Sequence, residues 1–105
     1  ELVDTITVES KHNPYPNNCN EKVYGEASFE GASSLKVYLT YQTESLTWDY
    51  VSLYDKNGDW INDYGGIDET TELITIDGDY VKFTFTSDGS VNNYYGFKAI
   101  VIPVY

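Results

Sequence analysis

The sequence predicts an all-β domain, a two-sheet antiparallel β-sandwich of the jelly-roll kind, and three observations predict it. Apolar and polar residues alternate in short runs that recur about every ten residues. No stretch of helical length shows the three-four apolar spacing. Residues that accept turn dihedrals fall between the runs, as Asn13-Pro14, Gly31, Asn57-Gly58, Gly65-Gly66, Asp77-Gly78 and Asp88-Gly89. Eight short strands make two packed sheets the economical arrangement.

The first strand is predicted over Leu2 to Val8, closed by the polar stretch that reaches Asn13-Pro14. The second runs from Val23 to Phe29 and stops at Gly31. In the third, Leu35 to Tyr41, the set Leu35, Val37, Leu39 and Tyr41 points inward, because side chains alternate between faces. The fourth, Tyr50 to Tyr54, puts Val51 and Leu53 on one side and Tyr50, Ser52 and Tyr54 on the other. Asn57-Gly58 is a hairpin turn into the fifth, Trp60 to Tyr64. Gly65-Gly66 separates that strand from the sixth, Glu72 to Ile76, and Asp77-Gly78 leads into the seventh, Tyr80 to Thr86, with Val81, Phe83 and Phe85 inward. Phe97 to Val104 is the eighth. The remaining tyrosines are expected to line strand faces with rings packed and hydroxyls wet.

The chain has 105 residues, enough for one core, and is read as a single domain over residues 1–105. It opens at Glu1 without an initiator Met, as a mature product or a domain excised from a larger secreted protein would. Apolar runs of only a few residues give no transmembrane helix and no signal-peptide core. Seventeen acidic residues stand against six Lys and no Arg, a formal net charge of -11. That balance argues against nucleic acid and anionic membranes, since little here could neutralise phosphate, and favours a cationic partner, bound metal ions or simple solubility. Cys19 is the only cysteine, so no internal disulfide is available and the compartment is not legible from cysteine usage. No Asn-x-Ser/Thr glycosylation site occurs among eight Asn.

Carboxylates gather at three places: Glu44 with Asp49, Asp55 with Asp59, and Asp88 within Thr86-Ser87-Asp88-Gly89-Ser90-Val91. The second resembles the opening of a calcium loop, but an EF-hand needs Gly at its sixth position and Glu at its twelfth, and counting from Asp55 those are Trp60 and Gly66. The other two clusters lie in recognisable surroundings. "NPYPNN" (Asn13 to Asn18) looks like an SPxYPxxYPxN segment. "GASSLKVYLTYQTE" (Gly31 to Glu44) looks like G-x-x-I-x-L-x-F-x-x-F-x-T-E. "WDYVSLYD" (Trp48 to Asp55) looks like a DYVxIYDG strand, and "VKFTFTSDGSVNNYYGFKA" (Val81 to Ala99) like L-x-V-x-F-x-S-D-x-S-x-x-x-x-GF.

In this order, over nearly the whole chain, the segments resemble the CUB domain family. Typical members carry four cysteines in two bridges and an N-terminal Cys-Gly. This chain has Cys19 alone and an extra strand-like segment before "ESKHNPYP". The resemblance therefore implies a disulfide-poor CUB-like sandwich held together by aromatic packing. For calcium-binding members it implies an ion at one end of the sandwich, carried over here to Glu44, Asp49, Asp88 and Ser90, with Tyr15 steadying a carboxylate. The chemistry agrees, because Ca²⁺ takes six to eight oxygens at about 2.3–2.6 Å and three carboxylates with carbonyls and water can supply them. Without an ion, converging carboxylates repel and raise one another's pKa. Extracellular modules of this sort hold calcium at about 10⁻⁴–10⁻³ M.

The resemblance implies a non-catalytic, extracellular (secreted or cell-surface) protein-binding module that takes a partner's Lys or Arg at the acidic calcium site. A second expectation is carbohydrate binding through Trp48, Trp60, Tyr64, Tyr94 and Tyr95, which fall in or near loops. A prepeptidase-like sandwich would share the D-Y-x-x-L-Y-D look but lack the S-D-x-S and G-F ending present here. An enzyme is least expected: His12 and Cys19 are the only residues of their kinds and lack a triad-like context, and Ser87 and Ser90 have no adjacent base. Paired carboxylates suit glycoside hydrolysis, but so small a domain offers little cleft.

Overall fold

In the computed structural model, residues 5–10, 20–43, 46–88 and 95–105 are described. They form eight strands: β1 (Ile6–Glu9), β2 (Lys22–Ser28), β3 (Ser34–Gln42), β4 (Tyr50–Tyr54), β5 (Trp60–Tyr64), β6 (Thr70–Asp77), β7 (Tyr80–Thr86) and β8 (Gly96–Val104). All eight predicted strands are present, three with the predicted bounds. The sixth is longer than expected, because Thr70 and Thr71 pair with Tyr41 and Thr40 of β3 and carry the ladder past the apolar residues. Of the first predicted strand, residues 2–4 lie outside the described residues, and β1 starts at Ile6.

Two four-stranded antiparallel sheets result, in the orders β1-β8-β3-β6 and β2-β7-β4-β5. The inward row of β3 is as predicted, with Leu35, Val37, Leu39 and Tyr41 all buried. Val51 and Leu53 of β4 meet Val81, Phe83 and Phe85 of β7 in the facing layer, again fully buried.

Aromatic rings join the two layers. Phe97 of β8 lies stacked at 6.1 Å from Phe83 and 5.9 Å from Phe85, ring centroid to centroid, and Tyr24 meets Phe97 edge-on at 5.8 Å. Each such pair contributes about 0.5–1.5 kcal/mol beyond the area it buries. Tyr24 reaches this cluster through a bulge: the register of β2 against β7 shifts between Val23 and Gly25. The extra residue reverses the alternation, so Tyr24 packs on the core and Val23 is left 56% exposed. Gly25, at φ 156°, completes the bulge, and a Cβ there would press on Val8 Cγ1 at 3.2 Å.

The expectation of wet tyrosine hydroxyls is corrected at Tyr54 and Tyr80, and the inward Tyr41 is bonded in the same way. Tyr41 donates to Glu72, Tyr54 to Glu21 Oε1 at 2.7 Å, and Tyr80 to Glu26. In an acidic chain, a phenol facing a carboxylate finds a ready acceptor. Burial first, and then the Glu72 carboxylate, push Tyr41 up to about 12. The hydrogen bond to Glu26, followed by burial, pushes Tyr80 up to about 12. Both are raised from the ordinary 10.0, so the neutral phenol favours the folded state. Their contribution is full below the unfolded value and is lost as pH rises through the folded one. A spectrophotometric titration should therefore show at least these two tyrosines ionising late, and the melting temperature should fall between pH 10 and 12. Ionisation of all eleven tyrosines near pH 10 with the fold intact would contradict these pairs.

Candidate functional site

Alternating strand directions put the end of β3, the start of β4, the end of β5, the start of β6, the end of β7 and the start of β8 at one end of the sandwich. This is the end at which the sequence places its acidic motif residues. Asp49 directly precedes β4 and is 1% exposed. Asp88 follows β7 by two residues and is half-buried, and its backbone N–H donates to Asp49 Oδ1 at 2.9 Å. Two carboxylate-bearing segments 39 residues apart are thus stitched together by one of the carboxylates themselves. Glu44, Ser90 and Tyr15, the other members of the expected ion site, lie outside the described residues. No group of three or more His, Cys, Asp or Glu side chains placed to hold a metal occurs among the described residues.

The sequence reading missed the residues that hold this end in shape. Thr43 N–H donates to the Gly66 carbonyl at 2.7 Å, and Gly66 N–H returns a bond to Thr43 Oγ1 at 2.8 Å. The pair pins the β3–β4 connection to the β5–β6 connection. Gly65 is required by close approach, since a Cβ there would stand 2.6 Å from the Asp49 carbonyl oxygen and 2.9 Å from Thr43 Oγ1. In the sequence Gly65-Gly66 carried only a turn signal. Gln42 adds a bridge by donating to the Ile67 carbonyl at 3.1 Å while its Oε1 accepts from Tyr95 N–H at 3.4 Å. Burial, and after it the charges of Glu9 and Glu69, raise the Tyr95 hydroxyl above its ordinary value, a mark of how negative this end is.

Of the five aromatics expected in a sugar site, three of the four described lie at the loop end and the fourth stands apart. Trp48 is 60% exposed on the turn before Asp49, at the loop end. Tyr64 faces inward and packs against Tyr41 at 5.9 Å. Tyr95 is half-buried at the loop end, and Tyr94 lies outside the described residues. Trp60 stands apart at the opposite end of β5.

The hairpin cluster is accounted for by its own turn. Asp55 Oδ1 accepts from Asn57 N–H at 2.9 Å and Asp59 N–H at 3.0 Å, so that carboxylate oxygen closes the β4–β5 connection.

No protein-family model matches the chain, and no curated protein sequence matches it. Solved structures do. The CUB1-EGF-CUB2 domain of human MASP-1/3 superposes with a TM-score of 0.73 at 21% identity, over 95% of this chain and 41% of that one. The CUB1-EGF-CUB2 domains of rat MASP-1 superpose with a TM-score of 0.71 at 20% identity, over 95% and 40%. The chain folds as a CUB domain. It spans about two fifths of each of these multidomain structures. At such identity the likeness establishes the fold, and the chemistry of the CUB-like loop end rests on this chain's own residues.

Proposed function

We propose that this CUB-like domain is a non-catalytic, extracellular recognition module. Its loop end takes a calcium ion through Glu44, Asp49, Asp88 and Ser90, with Tyr15 steadying a carboxylate, and receives a Lys or Arg side chain of a protein partner beside it. The observation that carries the reading is the nearly complete burial of the Asp49 carboxylate at a loop end, with Oδ1 held by the N–H of Asp88. Burying a carboxylate is costly unless it is hydrogen-bonded and compensated by positive charge. The described half of the site fits a hard cation, since it offers carboxylate oxygen from two connections already tied together.

A bound ion would supply positive charge that Asp49 and Asp88 share. The protein residues do the rest. Thr43, Gly65 and Gly66 fix the backbone that carries Asp49, and the surplus acidic charge draws a basic group to the same end. The net charge of -11 steers such a partner from a distance. The non-catalytic reading rests on the poverty of nucleophile and base pairs in the sequence, with one His and one Cys in the chain.

Calcium titration calorimetry on single-residue variants tests the assignment. Asp49→Ala should abolish calcium binding and with it capture of a lysine-bearing protein partner. Asp59→Ala, on the distant hairpin, should leave both unchanged. Equal loss in the two variants would contradict the site.

A further inference from the structure

The outward face of the β2-β7-β4-β5 sheet carries a second assembly. Ser52 and Tyr54 point outward from β4, because Val51 and Leu53 between and beside them are core. Across the ladder they pair with Asp63 and Trp60 of β5, respectively. Trp60 is 58% exposed. Its indole is nevertheless held in place, since Nε1–H donates to Asp63 Oδ1 at 2.8 Å, and the same oxygen accepts from Ser52 Oγ at 2.5 Å. Ser52 is itself buried in the sheet, so the chain from backbone to carboxylate to indole is anchored at its base. Beside it Tyr54 is fixed at both ends, its hydroxyl on Glu21 and its ring under Lys82 Nζ at 5.0 Å from the centroid.

A large ring kept rigid yet exposed is a preorganised contact surface, because little side-chain entropy remains to be lost on binding. What surrounds it selects the ligand. A protein hot spot centred on Trp sits among apolar contacts that shut out water. Trp60 instead has the exposed Asp59 and Asn62 and the carboxylate of Asp63 as its neighbours along the strand. One ring-sized apolar plane edged by hydrogen-bond acceptors matches a ligand with an apolar ring face and hydroxyls at its rim.

We propose that Trp60 and Asp63, with Tyr54 beside them, form a saccharide subsite for a neutral oligosaccharide of pyranoses with equatorial hydroxyls. A pyranose whose hydroxyls are equatorial presents a flat face of axial C–H bonds, and that face stacks on the indole. Its rim hydroxyls donate to the Asp63 carboxylate. The Asp63 carboxylate at the edge of the indole disfavours sulfated, phosphorylated and other anionic groups there by like charge, while Lys82 stands farther off over the Tyr54 ring. The subsite is independent of calcium and of the loop-end reading.

The test is calorimetric titration of the intact domain with cellohexaose, chitohexaose and maltohexaose, whose pyranose rings share that face, against inulin, whose furanose units lack it. At least one of the three pyranose hexamers should bind, and inulin should bind about tenfold more weakly or not at all. Trp60→Ala should weaken the interaction about tenfold or more, as loss of a stacked ring does, while Trp60→Phe, which keeps a smaller ring without the bond to Asp63, retains part of it. Leu73→Ala, on the outward face of the other sheet, should change nothing, and EDTA should have no effect. Failure of all three pyranose hexamers to bind at millimolar concentration would overturn the proposal, as would equal binding of inulin. So would binding that survives Trp60→Ala, or binding that EDTA removes.

Discussion

Phe97→Ala is expected to lower the stability of the domain by about 3–5 kcal/mol, the range for truncating a buried Phe. Phe97 comes from the first sheet and stacks on Phe83 and Phe85 of the second, with Tyr24 against its edge, so one side chain joins the two layers. A deletion there removes contact on three rings and opens a cavity that rigid strands on both sides cannot close. Since domains of this size are stable by about 5–15 kcal/mol in all, the variant should be strongly destabilised and partly unfolded at physiological temperature. Urea unfolding followed by circular dichroism measures the loss. Val23→Ala, at an exposed position on β2, serves as the comparison and should shift the midpoint little. A loss under about 1 kcal/mol at Phe97 would mean that the rings do not hold the sheets together.

Gly65→Ala is the second change with a large expected effect, and it acts on the site. The added methyl would lie 2.6 Å from the carbonyl oxygen of Asp49, a backbone atom, and 2.9 Å from a Thr43 hydroxyl that Gly66 already holds. Neither neighbour can swing aside, so the β3–β4 connection must move. Overpacking of this kind costs about 1–3 kcal/mol. The more telling consequence is displacement of Asp49 from the Asp88 N–H, which should remove the calcium response altogether. Gly78→Ala separates this from ordinary backbone strain. Gly78 has φ 96° but open space around its Cβ position, so alanine there should destabilise the fold without touching calcium binding. A Gly65→Ala domain that retains full calcium response would show that the close approach does not position Asp49.

Much of this fold is legible in the sequence because burial of one face of each strand leaves a strict alternation. The rows Leu35-Val37-Leu39-Tyr41 and Val81-Phe83-Phe85 allow only one facing, and the structure buries all seven side chains. The bulge at Tyr24 is not legible. An extra residue in one strand changes no local pattern, and its cause is a distant one, the space beside Phe85 and Phe97. Nor are the phenol–carboxylate pairs, since Tyr54 and Glu21 lie 33 residues apart and Tyr80 and Glu26 lie 54 apart.

The loop end divides in the same way. Motif order points to Asp49 and Asp88, and the backbone N–H of Asp88 donates to Asp49 Oδ1. Thr43 and Gly65 were missed because a buried hydroxyl and a glycine in close contact look, in sequence, like any loop residue. The outward pairing of Trp60 with Asp63 was missed too. The two residues are three positions apart on β5, and only the bulge between Leu53 and Tyr54 in the register brings both to one face.

The central claim is that Asp49 and Asp88 belong to a calcium site that exists only in the folded domain. A thermal melt of the domain in about 2 mM calcium against EDTA tests it most directly, because an ion bound only to the native state must stabilise it. At an affinity of about 10⁻⁴–10⁻³ M the gain is about 0.6–1.8 kcal/mol, several degrees in a domain of this size. The account predicts that upward shift in the unmodified domain and its disappearance in Asp49→Ala. Identical melts in calcium and EDTA, or a shift that persists in Asp49→Ala, would contradict it.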